Sequence, residues 1–224
     1  MSLNQSKNKQ KNYEIDMCNG PLLSKIVIFT IPLMLSGILQ LLFNAADIVV
    51  VGQFAGRNAL AAVGATSSLI NLLVNLFIGL SVGANVMVAR YFGAGQKQEL
   101  SEMVHTAILT SFISGIFLII LGVFLARPLL TQMGTPDDCI DQAVIYMQIY
   151  FIGMPVTMAY NFGSAILRAV GDTRRPLYFL TVAGIINVIL NLIFVIAFSM
   201  DVAGVALATV ISQAISAALV LHTL

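Results

Sequence analysis

The sequence contains few charged residues. They make up 9% of its 224 residues, whereas a soluble domain has about 25%. The formal net charge is +1, and because the charges are segregated into the predicted loops, it gives no indication of a nucleic-acid partner. The two cysteines, Cys18 and Cys139, do not suggest a disulfide framework.

Motifs of enzymatic chemistry are also missing. The sequence has no G-x-x-x-x-G-K-[ST] segment that would hold ATP phosphates. His105 and His222 are far apart, so they do not suggest a metal site, and no nucleophile–base pair is visible. We therefore expect neither an enzyme nor a bound cofactor or metal.

Long apolar segments dominate what is present. Hydrophobic residues make up 58% of the chain and the mean hydropathy is +0.94, which indicates a polytopic membrane protein. The apolar runs predict an all-α fold with six transmembrane helices in one lobe. Their expected bounds are about 24–51, 59–89, 102–126, 138–169, 176–199 and 203–224.

The distribution of basic residues predicts the orientation. Residues 1–23 form a polar tail. With this tail in the cytoplasm, nine of the 11 Lys and Arg residues lie on the inner side, and Arg57 and Arg127 lie on the outer side. We therefore expect a multi-pass protein of the plasma (inner) membrane with a cytoplasmic N-terminus. Because the sixth span reaches the chain end without a polar tail, we also expect a piece of a longer protein.

Asp47 differs from the other acidic residues. Nine of the ten acids lie in tails, in loops or at the ends of apolar runs, and Asp47 alone lies inside one. An Asp at the centre of a membrane helix costs about 2.5–3.5 kcal/mol, so it is a functional candidate. Gln40, Asn44 and Asp47 share one helical face, which should point to protein or water. The alternative is a structural carboxylate that is hydrogen-bonded to neighbouring helices.

Polar residues recur inside the other apolar helices. Tyr146 and Asn161 lie in the fourth span, Asn187 and Asn191 in the fifth, and Thr209 in the sixth. Each is open to a simpler explanation, since such side chains often hold membrane helices together. Together with the acid they would line a polar cavity that takes up a proton or binds a small hard cation such as Na⁺.

Two prolines interrupt predicted helices. Pro32 lies early in the first span and Pro155 lies midway along the fourth. Each removes a backbone hydrogen bond and favours a bend. Such a bend is either a moving part or a static feature of the helix.

Several segments resemble multidrug and toxic compound extrusion (MATE) transporters. They are FNAADIVVVGQFAGRNALAAVGA, GLSVGANVMVARYFGAGQ, SAILRAVGDTRRP, NVILNLIFV and DVAGVALATVISQ. The resemblance extends from about residue 14 to the end of the chain. It is greatest to the branch named for a DNA-damage-inducible protein.

The resemblance implies a fold of twelve helices in two six-helix lobes around a drug-binding cavity, of which this chain matches the first lobe. It also implies alternating access driven by proton or sodium entry. Asp47 matches the acid of the first helix in this family. Pro32 matches a proline that bends the helix when that acid is protonated.

Four further positions match the polar site of some relatives. Asn187 and Asn191 stand where those relatives have an Asn and an acid, so the second acid is missing here. Tyr146 and Thr209 are the best matches to the remaining polar residues. The missing acid puts a two-carboxylate site in doubt, although one carboxylate is enough to carry a proton.

The predicted function is the N-terminal half of a secondary transporter. It would export organic, often cationic, compounds by antiport with protons or, alternatively, sodium ions. Its expected partners are a drug-like substrate, the coupling cation, the bilayer, and a missing C-terminal lobe or a second copy of the chain. Gln40, Asn44 and Asn161 are expected to line the substrate cavity.

Two alternatives stay open. The first is a lipid-linked oligosaccharide flippase of the same superfamily, although the basic residues fall at helix ends and not in the spans. The second is a helical membrane subunit that does not transport, because a single lobe lacks the opposite wall that alternating access requires.

Overall fold

The computed structural model describes residues 22–224, and these form a bundle of long helices. The predicted tail of residues 1–23, including Cys18, lies outside the described residues except for its end, which is already helical. The helices are α1 Leu22–Val50, α2 Arg57–Gly93, α3 Lys97–Gln132, α4 Asp137–Ile152, α5 Met154–Ala169, α6 Arg174–Leu192 and α7 Asp201–Thr223.

Two of these helices end in a wider turn. A π-helical turn, Val51–Ala55, follows α1, and a second, Ile193–Ala197, follows α6. Gly56 then separates the first π-helical turn from α2 with φ of 90°, a conformation that suits glycine because it has no Cβ. The first two spans are therefore joined by a very short connection.

The fourth predicted span is bent. It consists of α4 and α5, which meet at Gly153 at an angle of 51°. Pro155 lies in the first turn of α5, where its missing N–H costs little. With this pair counted as one span, the described residues contain six candidate membrane spans, which confirms the expected all-α membrane fold.

Proline did not end or break the other helices. The third span was expected to end at about residue 126, before Pro128, and the helix that contains it, α3, continues through Pro128 to Gln132. Likewise, α1 runs as one helix through Pro32. Membrane helices tolerate proline because neighbouring groups satisfy the freed backbone.

The bent span lies at the centre of the packing. Helix α5 packs against α2, α3 and α7, whereas α1 packs along α6. Helix α3 crosses the bend closely at Gly115, where an added Cβ would lie 2.7 Å from the Pro155 nitrogen. Because α1 and α2 make no extended contact with each other, space remains between them for a cavity.

Candidate functional site

The polar face of α1 lines a cavity inside the bundle. Gln40, Asn44 and Asp47 are spaced so that one helical face carries all three, and all three line a cavity of about 250 Å³. In α1, Asp47 lies one turn before the π-helical turn. Its side chain is partly buried.

The rest of the cavity wall comes from five other helices, α2, α4, α5, α6 and α7. Its polar members are amides, hydroxyls and phenols, and none of the described lining residues carries a positive charge. The apolar members include Phe43, Val74, Ile78 and Leu180. Beyond the three residues of α1, the polar lining residues are Asn71, Asn75, Tyr150, Thr157, Tyr160, Asn161, Asn187, Thr209, Ser212 and Gln213.

Close packing between α1 and α6 brings the acid to its partner. Gly184 lies under the Phe43 ring, and a Cβ at this position would overlap the ring. Asp47 is one turn beyond Phe43, and Asn191 is two turns beyond Gly184. Beyond this contact the two helices bring their polar side chains together, and Asn191 Nδ2 donates a hydrogen bond to Asp47 Oδ1.

A hydrogen-bonded chain continues from Asn191 to α7. Asn191 Nδ2 also donates to Asn187 Oδ1 at 3.3 Å, and Asn187 Nδ2 donates to Thr209 Oγ1 at 3.3 Å. The Thr209 hydroxyl in turn donates to the Val205 carbonyl oxygen at 3.0 Å. Asp47, Asn191, Asn187 and Thr209 thus form one network across α1, α6 and α7.

The chemistry of this network suits a small cation. Asp47 supplies a negative charge, and no Lys or Arg lies within 4 Å of its carboxylate in the described chain. Asn191 Oδ1 is buried without a hydrogen-bond partner among the described residues, so an oxygen acceptor is available beside the acid. Carboxylate, amide and hydroxyl oxygens are the ligands that hard cations prefer, and a carboxylate also accepts a proton.

Comparison with known proteins assigns the family. The family model MatE matches residues 32–193. The chain belongs to the MatE family. This assignment confirms the family resemblance of the sequence, and the MatE relatives are transporters and not enzymes.

Two MatE relatives from Bacillus subtilis (strain 168) are similar over most of this chain. The probable multidrug resistance protein YpnP is 31% identical over 201 residues, which cover 90% of this chain and 45% of the relative. The probable multidrug resistance protein YoeA is 32% identical, with 83% and 41% covered. The chain thus spans less than half the length of these relatives.

A solved MatE structure has the same arrangement of helices. The crystal structure of MATE in the bent conformation superposes with a TM-score of 0.83 at 28% identity. The match covers 88% of this chain and 44% of that one. The lobe described here therefore corresponds to about half of that MatE protein.

Tyr146 occupies a different place from the other expected MatE site residues. It is buried in the main core, and its ring stacks on Tyr150 with 6.1 Å between ring centroids. Tyr150, one turn later in α4, is the tyrosine of this pair that lines the cavity. Spacing alone did not distinguish the two, because both lie on the same face of the helix.

Sequence reasoning missed Thr157 and Gly184. Thr157 lines the cavity beside Tyr160 and Asn161, and the signal for it was its spacing of three and four residues from them. Gly184 had no signal of its own, because its role depends on the approach of Phe43. In the described residues, no group of three His, Cys, Asp or Glu side chains could hold a metal ion.

Proposed function

We propose that this chain is the N-terminal lobe of a secondary transporter that exports organic, often cationic, compounds by antiport with protons or sodium ions. One observation carries the proposal: a carboxylate, Asp47, sits in a polar cavity within the membrane-spanning bundle and is held by a neutral amide network. A carboxylate that faced lipid would raise the free energy of the inserted helix, so an acid inside a membrane-spanning helix is by default a functional candidate. The relatives named as multidrug resistance proteins support the same function.

In this proposal, Asp47 binds the coupling ion and the substrate in turn. An ionised Asp47 holds Asn191 by a charge-assisted hydrogen bond. A proton or Na⁺ neutralises the carboxylate, weakens that bond and lowers the affinity of the cavity for a cationic substrate. A proton is the first choice of coupling ion, because one carboxylate suffices to carry it, and sodium is the alternative.

The surrounding residues have supporting roles in the proposal. Gln40, Asn44 and Asn161 contact the substrate from opposite walls of the cavity. Pro32 weakens α1 near its start, so that the helix bends when the charge of Asp47 is neutralised. The bend would change the level at which Asp47 meets α6, and it thereby couples the charge of the acid to the shape of the lobe.

The complete transporter in this proposal contains a second wall. Alternating access usually needs two halves, which we take to be a C-terminal lobe or a second copy of this chain. We place the protein in the inner membrane with its N-terminus in the cytoplasm, and in the branch named for a DNA-damage-inducible protein. A flippase for lipid-linked oligosaccharides is disfavoured, since the described lining residues include no Lys or Arg that would meet a pyrophosphate.

Transport in proteoliposomes tests the proposal. The protein would be reconstituted and export of a lipophilic cation, tetraphenylphosphonium, followed under an imposed pH gradient and then under an imposed sodium gradient. We expect one gradient to drive export and Asp47→Asn to abolish that dependence. The matched control is Asp138→Asn, which removes an exposed acid from the first turn of α4. Export with unchanged ion dependence in Asp47→Asn would contradict the proposal.

A further inference from the structure

Carboxamide side chains of α1 and α2 line the cavity beside the gap between these two helices. Gln40 and Asn44 lie one turn apart on α1, and Asn71 and Asn75 lie one turn apart on α2. All four line the cavity and are exposed. Because α1 and α2 make no extended contact with each other, the two pairs border the gap from opposite sides. We call Gln40, Asn44, Asn71 and Asn75 the amide cluster.

The amide cluster does not hold helices together. Within residues 22–224, none of its four side chains has a hydrogen-bond partner. Two amides outside the cavity differ in this respect. Asn85 Nδ2 donates to the Ala165 carbonyl oxygen at 3.1 Å, and Gln148 Nε2 donates to the Val123 carbonyl oxygen at 3.3 Å. A hydrogen bond to the next helix, a common role of amides in membrane helices, therefore does not explain the amide cluster.

Apolar side chains surround the amide cluster on the outer surface of the lobe. Leu41 on α1 and Leu72 and Leu76 on α2 are all exposed. A carboxamide without a hydrogen-bond partner is unfavourable in apolar surroundings. The four amides therefore need their partners inside the cavity, as water or as polar groups of a bound compound.

The rest of the cavity wall narrows the chemistry of such a compound. Gln213 Oε1 is buried in this wall without a hydrogen-bond partner among the described residues, and Asp47 supplies a negative charge. Phe43, Tyr150 and Tyr160 add aromatic rings, against which an organic cation can pack. The compound that satisfies the whole wall therefore carries a positive charge, a flat ring and a hydrogen-bonding group.

We propose that the amide cluster binds a carboxamide-like group of the transported compound, with Asn71 and Asn75 as specificity-determining residues. A carboxamide presents N–H donors beside a C=O acceptor, so it pairs through two hydrogen bonds with an amide, a lactam or a urea, as Asn and Gln pair with the donor and acceptor of adenine. The preferred substrate class is therefore an organic cation that also carries such a group. The proposal rests on the function proposed above, because it takes Asp47 as the partner of the positive charge.

Binding of two matched cations tests this proposal. 1-Benzyl-3-carbamoylpyridinium carries a carboxamide, and 1-benzyl-3-isopropylpyridinium has an apolar group of similar shape in its place. Isothermal titration calorimetry of the detergent-solubilised protein would give the Kd of each. We expect the wild type to bind the carbamoyl compound about tenfold more tightly, which is about 1.4 kcal/mol and matches one to two net hydrogen bonds. Equal affinities in the wild type would mean that the amides bind water only, and they would overturn the proposal.

Substitutions on α2 make the result specific. Asn71→Leu and Asn75→Leu each remove one hydrogen-bonding group, so each should reduce the preference for the carbamoyl compound. Binding of the isopropyl compound should persist in both variants, which shows that the cavity is intact. The matched control is Asn58→Leu, which removes an exposed amide from the first turn of the same helix, outside the cavity lining, and should keep the preference. A preference that neither Asn71→Leu nor Asn75→Leu changes would overturn the proposal.

Asp47→Asn separates this proposal from the proposed function. It should weaken the binding of both cations by the same factor and leave the ratio of their affinities unchanged. If Asp47→Asn binds both cations as tightly as the wild type, the role of Asp47 fails while the measured preference stands. If both cations need Asp47 but the wild type does not distinguish them, the proposal for the amide cluster alone fails.

Discussion

Gly115→Ala should destabilise the protein because α3 has no room for a methyl group where it crosses the bent span. The added Cβ would lie 2.7 Å from the Pro155 nitrogen and closer still to the Pro155 Cα. Carbon atoms in contact are about 3.5–4.0 Å apart, so α3 and α5 must separate by about 1 Å. Both obstacles are backbone atoms, which cannot rotate away.

The size of the effect follows from two opposing terms. Overpacking of this kind costs about 1–3 kcal/mol, whereas replacing a helical Gly by Ala gains about 1 kcal/mol. Gly79→Ala is the matched control, because a Cβ at Gly79 meets no atom within 4 Å. The difference between the two variants therefore isolates the steric cost at Gly115.

Thermal unfolding in detergent measures this difference. For a domain of this size, 1–3 kcal/mol corresponds to a melting temperature lower by about 2–12 °C in Gly115→Ala than in Gly79→Ala. Binding of tetraphenylphosphonium should also weaken, since α5 carries Thr157 and Tyr160 into the cavity wall. Equal melting temperatures for the two variants would refute the packing described for the bend.

Two further substitutions test the network and the loop. Asn187→Ala removes the hydrogen-bonded link between Asn191 and Thr209. It should lower the free energy of unfolding by about 1–3 kcal/mol and slow ion-driven export. The control is Thr181→Ala, because the Thr181 hydroxyl bonds only within its own helix, and it should change neither stability nor export. Asp172 lies in the loop before α6, and its burial raises its pKa above the ordinary value of 3.8 despite its hydrogen bonds. A carboxyl with a higher pKa in the folded state binds its proton more tightly there, so stability falls as pH rises from about 3.8 through the folded pKa. The melting temperature of Asp172→Asn should therefore fall less steeply with rising pH than that of the wild type. An equal slope in the two proteins would contradict the raised pKa of Asp172.

The spans and the polar face of α1 could be predicted because both depend on local sequence. Apolar length identifies a membrane helix, and the spacing of Gln40, Asn44 and Asp47 places them on one face. The ends of the helices were harder to predict from the sequence. Helix α3 passes through Pro128, because neighbouring groups in a membrane protein can satisfy the backbone carbonyl that a proline leaves without its hydrogen bond.

The contacts of the site could not be read from spacing alone. Asp47 and Asn191 are 144 residues apart in sequence, and they meet because Gly184 lets Phe43 lie against α6. Spacing also could not predict that Tyr150, and not Tyr146, lines the cavity. It is decided by how α4 is rotated against its neighbours, which the periodicity of one helix does not contain.

Competition for Asp47 tests the central claim most directly. Tetraphenylphosphonium would be added to the detergent-solubilised protein in weak buffer, with a pH dye to record proton release and ²²Na⁺ to record sodium release. We predict that the wild-type protein releases one of these ions as the organic cation binds and that Asp47→Asn releases neither. Binding without release of either ion, or equal release from Asp47→Asn, would contradict the account.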